Sequence, residues 1–128
     1  MKVFISKSLG TYNLANHGQK QWSVELRVMG LQDSPLVLWA TWEEDDEPDI
    51  DGLSPSEVMD LLERRFESYL IDTSREKRRA SLAWMRENAE EIDKAWAASR
   101  VESFREEVES LNRKIAFLTR EYNLDGAK

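Results

Sequence analysis

At 128 residues the chain fits one domain, large enough for an unaided core, and 41% hydrophobic residues exclude general disorder. Zero cysteines exclude structural disulfides, thiol catalysis and thiolate zinc sites, and they suit a reducing cytoplasm. A net charge of −7 opposes nucleic acid unless a basic patch is set apart from the acids.

The opening residues, Met1 to Lys7, are basic but too short for the apolar region of a signal peptide. They read instead as a strand over Lys2 to Ser8. The segment from Leu9 to Lys20, with Gly10, Asn13, Asn16 and Gly18, reads as a long loop. Trp22, Val24, Leu26 and Val28 then alternate with polar residues, the period of a half-buried strand. Leu36 to Glu43 is a second β-rich run with Leu36, Leu38, Ala40 and Trp42 on one face, and Gly30 to Pro35 supplies a turn between the two. A three-stranded antiparallel sheet with one covered face is expected. The longest apolar run, Leu36 to Ala40, falls far short of the roughly 18 residues of a membrane span, so no membrane association is expected.

An acidic loop follows. Glu43 to Asp51 carries seven acids and no base. It ends at Ser54-Pro55-Ser56-Glu57, where a capping serine, a proline at the first helical position and a glutamate at the third mark a helix start. Val58, Leu61, Leu62, Arg65, Phe66 and Tyr69 continue at helical spacing to about Leu70, a helix that should lie on the sheet. Thr73 to Glu76 repeats the capping pattern.

From Ser74 to Asn123 there is neither glycine nor proline. One helix of that extent would be roughly 75 Å long at about 1.5 Å per residue. Leu82, Met85, Ala89, Ile92 and Trp96 form one apolar stripe. A second, rotated by roughly 90° at about 100° per residue, runs through Val101, Phe104, Val108, Leu111, Ile115, Leu118 and Tyr122. The second alternates steps of three and four, as a coiled-coil seam does, and predicts a partner helix. Missing helix breakers favour a continuous or kinked helix, whereas a third capping pattern, Ser99 to Glu102, would permit a fold-back near Ser99. The expected fold class is α+β: a small head over residues 1–72, and a helical coiled-coil arm over 73–128 that forms one cooperative unit with it.

Sites for chemistry are sparse. Asp49-Ile50-Asp51-Gly52 resembles the middle of a calcium loop, but the position that needs a bidentate glutamate is Val58. His17 is the only histidine, and no triad or metal motif surrounds it. Glu87, Glu90, Glu91 and Asp93 lack the histidine pairing of di-iron bundles, and no glycine motif cradles a phosphate. No cofactor, metal or catalytic residue is expected.

Two functional classes remain. In the first, the protein is a non-catalytic interaction module, an adaptor or an inhibitor that occludes a partner protein. The heptad seam makes it a homodimer, and Glu43, Glu44, Asp45, Asp46 and Glu47 with Trp39 meet a partner that has a basic surface. In the second, Arg75, Lys77, Arg78 and Arg79 of a dimer form a nucleic-acid-binding patch. The acid excess and the heptads favour the first.

Overall fold

The computed structural model describes residues 1–11, 20–30, 33–70 and 72–124. Among the described residues three strands, β1 (Lys2–Gly10), β2 (Gln21–Met29) and β3 (Leu36–Glu43), precede three helices, α1 (Pro55–Glu67), α2 (Arg75–Glu87) and α3 (Ala89–Glu121). The fold is α+β, as the patterning implies. His17 and most of the loop after β1 lie outside the described residues.

The strands form an antiparallel sheet in the order β1-β2-β3. Its register aligns Val3 with Val28, Val24 with Ala40, Leu26 with Leu38 and Trp22 with Trp42, so the alternation places one apolar row on one face. That face is covered. Val24, Leu26, Leu38 and Ala40 are fully buried there with Val58, Met59, Leu62 and Phe66 of α1. The opposite face carries Phe4, Met29 and Trp39, all exposed.

The start of α1 follows its sequence signal. Ser54 Oγ accepts the Glu57 N–H at 3.3 Å, and Glu57 Oε1 accepts the Ser54 N–H at 3.1 Å, a reciprocal capping box. Asp93 of α3 adds a carboxylate at this positive helix end, accepting from Ser56 N at 3.0 Å and Ser56 Oγ at 2.6 Å. The helix stops at Glu67, short of the expected Leu70, because the Ser68 hydroxyl donates to the Arg65 carbonyl at 2.6 Å and releases Tyr69 toward the sheet edge.

The start of α2 differs from its signal. Ser74 makes no side-chain cap; Asp72 instead accepts the Ser74 N–H at 2.9 Å. The long helical run is interrupted at Asn88, where neither a glycine nor a proline stands, and there is no break at Ser99. Asn88 takes φ −113° and ψ 17°, and its side-chain amide donates to the Trp84 carbonyl at 2.9 Å. An asparagine side chain competing for helix carbonyls is enough to end α2. The Asn88 carbonyl then accepts the Ile92 N–H at 3.0 Å, beginning α3, which passes through Ser99 to Glu121.

The chain divides into two compact units, residues 1–96 and the residues from Ala97 onward. The first unit extends past residue 72 because Leu82, Met85 and Ile92 of the first helical stripe are core residues, with Trp84 and Trp96 packed against them. In the second unit, the seam side chains Val101, Phe104, Val108, Leu111, Ile115, Leu118 and Tyr122 are all exposed, by 46 to 69%. Among the described residues no helix is long and apolar enough to cross a membrane.

Candidate functional site

Three surfaces carry the candidate residues. The basic block is the first, and its arginines are engaged within the chain. Arg78 Nη1 meets Asp72 Oδ2 at 2.6 Å, with the two side chains 7% and 5% exposed. Its guanidinium also lies 3.9 Å from the Trp39 ring centre and 5.5 Å from that of Tyr69. Arg79 grips Glu67 through two bonds, Nε to Oε1 at 2.6 Å and Nη2 to Oε2 at 2.7 Å. Arg75 donates from Nη2 to the Tyr69 carbonyl. Lys77 is exposed.

These pairings explain how positive charge is accommodated in the first turns of α2, where the helix dipole disfavours it. The compensating acids are Asp72 and Glu67, and the acidic loop takes no part in those bonds. Burial alone would raise the Asp72 carboxyl. The Ser74 N–H, the Arg78 hydrogen bond and the charges of Arg78 and Arg75 outweigh that and hold it below the usual range. The Glu67 carboxyl is held low chiefly by its hydrogen bond to Arg79.

The second surface is the acidic loop, where Glu43, Glu44, Asp45, Asp46 and Glu47 are exposed. It is tethered at several points. The Asp46 N–H closes a turn onto the Glu43 carbonyl at 3.0 Å, and Trp22 Nε1 donates to the Glu44 carbonyl at 3.0 Å. Lys7 Nζ reaches Glu47 Oε1 at 2.8 Å and the Pro48 carbonyl at 3.2 Å while lying 5.2 Å from the Trp22 ring centre. The Glu47 hydrogen bond raises the affinity of Lys7 for its proton. The loop therefore presents its charges from anchored backbone, which lowers the ordering cost of binding. Among the described residues no three His, Asp or Glu side chains are grouped to hold a metal ion.

Trp39 shares the open sheet face with Glu43, since residues two apart along β3 point the same way. Arg78 covers one side of the indole, and 40% of the residue remains accessible. Neighbouring Thr41 is closed off at the sheet edge: Tyr69 Oη accepts its N–H at 2.8 Å, and Arg65 Nε donates to its carbonyl at 2.6 Å. The spacing of α1 assigns Arg65 and Tyr69 to a helix stripe, and their role as edge blockers has no local signature. The structure thus brings Trp39 and the first acid onto one face, and adds Arg78, from the basic block, as the support of Trp39.

The third surface is the seam of α3. A groove is lined by Val101, Phe104, Arg105, Val108 and Glu109, an apolar strip with charged edges. Arg100 lies 4.8 Å from the Phe104 ring centre. Glu102 and Arg105 approach to 3.9 Å. Comparison with family models, with curated proteins and with solved structures finds no match to this chain.

Proposed function

We propose that the protein is a non-catalytic protein–protein interaction module, an adaptor or inhibitor that self-associates through the seam of α3 and occludes a partner through its head. The observation that carries this reading is the seam itself: a regular apolar stripe over Val101 to Tyr122, exposed along its whole length, beside a first unit whose core closes without it. A helix with water on every side has little to stabilise it beyond local propensity, and burying such a stripe against another helix supplies the missing term. The anchored acids Glu43 to Glu47 and the half-open Trp39 suit a basic protein surface, with charge governing encounter and the aromatic ring supplying contact. Zero cysteines support a reducing, cytoplasmic setting.

The nucleic-acid reading loses weight on the same geometry. Arg78 is buried and paired, Arg79 is held by Glu67, and Arg75 is turned to a carbonyl, so phosphate contact would require breaking those bonds. The test is light scattering of the wild type and of the double variant Leu111→Glu, Ile115→Glu. The reading expects a wild-type dimer at micromolar concentration and a folded monomer for the variant. A wild type that stays monomeric at the highest concentration it tolerates would remove the self-association reading.

A further inference from the structure

The seam carries information about which way the second copy runs. Resting on the self-association reading above, we propose that the protein is an antiparallel homodimer in one register. In that register Val108 of one copy packs against Leu111 of the other, and Tyr122 packs against Ala97.

The unbroken helix from Ala89 to Glu121 fixes the heptad positions. Val101, Val108, Ile115 and Tyr122 take one core position, and Ala97, Phe104, Leu111 and Leu118 take the other. The flanking position before the first core site then holds Arg100, Glu107, Lys114 and Glu121, and the one after the second holds Arg105, Asn112 and Thr119. Which flanking residues meet depends on direction. In a parallel pair, each residue before the core faces the one five places on in the other chain; in an antiparallel pair, like positions face each other.

Parallel pairing sets Arg100 against Arg105 on both sides, and puts Glu107 against Asn112 and Lys114 against Thr119. It has repulsion and no attraction. Antiparallel pairing in the proposed register sets Arg100 against Glu121 and Glu107 against Lys114, each occurring twice by symmetry, and opposes no like charges. The residues on the other flank, Arg105 with Asn112 among them, meet without conflict. Sliding one heptad in one direction brings Glu107 to Glu121 and Lys114 to its own copy. Sliding one heptad in the other brings Arg100 to Lys114 and Glu107 to its own copy. Of these three registers only the central one is free of like-charge contacts, and slides of two heptads keep one of its two kinds of ion pair and shorten the overlap.

The same register matches core volumes. Val101 opposes Leu118, Phe104 packs on Ile115, and the bulky Tyr122 opposes the small Ala97, so the layers hold apolar pairs throughout and the bulky end residue meets the smallest one. The paired stretch spans Ala97 to Tyr122, the exposed stripe and the residue at which the second compact unit begins.

Sedimentation equilibrium of charge variants tests direction and self-association separately. The proposal expects Lys114→Glu to weaken the dimer about tenfold at low salt, because two favourable contacts become two repulsive ones. Glu107→Lys combined with Lys114→Glu should restore wild-type affinity. Arg100→Glu should also weaken the dimer. In a parallel dimer the first two variants would change little and Arg100→Glu would tighten association by relieving the contact with Arg105. That tightening, or a double variant no better than Lys114→Glu alone, overturns the antiparallel register while leaving self-association intact. A wild type with no dimer at any attainable concentration overturns both.

Discussion

The helical half of the chain carries two apolar stripes of similar composition that lead opposite lives. Leu82, Met85 and Ile92 are buried against a sheet and a helix within the first compact unit, whereas Val101 to Tyr122 face water. Chain connectivity cannot separate them, since Ile92 and Val101 belong to the same helix. What separates them is whether the sheet and α1 offer a surface to cover. The comparison teaches that an apolar stripe by itself does not specify what covers it, and the exposed stripe is the one on which the proposed self-association rests. Substitutions in the first stripe should cost folding; substitutions in the second should cost assembly.

The sharpest break in that symmetry is an alanine pair. Ile92→Ala should lower unfolding free energy by about 2–5 kcal/mol and leave self-association alone, because it opens a cavity in a closed core. Ile115→Ala should leave the first unit as stable as before and weaken the dimer. Denaturant titration of each, read at the tryptophans, with light scattering beside it, would expose any crossover between the two effects.

A comparable loss is expected at the buried ion pair. Asp72→Ala strands the Arg78 guanidinium under Trp39, and removing one partner of a buried pair costs about 3–5 kcal/mol. The pH dependence has a defined sign. The Asp72 carboxyl is held below its unfolded value, so its contribution is fully present above the unfolded value of about 3.9 and is lost as pH falls through the lower folded value. Acid titration of stability should therefore steepen below pH ~4, and Asp72→Asn should flatten that limb.

The smallest effect on stability belongs to the acidic loop. Changing Glu43, Glu44, Asp45, Asp46 and Glu47 to neutral amides removes the exposed pair of Lys7 with Glu47 and also relieves crowded negative charge, so stability should move by no more than about 0.5 kcal/mol. Association with a basic partner should slow, with the change largest at low salt. Unchanged association kinetics would reduce the loop to a solvated connector.

Much of the architecture was legible because each element declared itself locally. The alternation from Trp22 to Val28 fixed a strand and its inner face, and Ser54-Pro55-Ser56-Glu57 fixed a helix start, since both depend on neighbours a few residues away. The interruption at Asn88 was not legible. It turns on a side-chain amide choosing the Trp84 carbonyl, and the Ser99 pattern that resembles a helix start lies inside a regular helix. The pairing of the basic block was hidden for a related reason: at sequence level Arg75, Lys77, Arg78 and Arg79 look like free charge, while Glu67, which holds Arg79, and Asp72 and Trp39, which hold Arg78, come from separate parts of the chain. Arg78 lies over the Trp39 ring, a contact with no local signature in the sequence, and leaves the residue 40% exposed.

The central claim is that one unit is complete and the seam waits for a second copy. Hydrogen exchange read by mass spectrometry at low and high protein concentration tests it most directly, because both regions are followed in one sample. Amides of β2, β3 and α1 should exchange at the same rate at both concentrations, while those of residues 97–121 should slow as the dimer fills. Exchange over 97–121 that does not change with concentration, in a protein shown to be monomeric throughout the range, would contradict it.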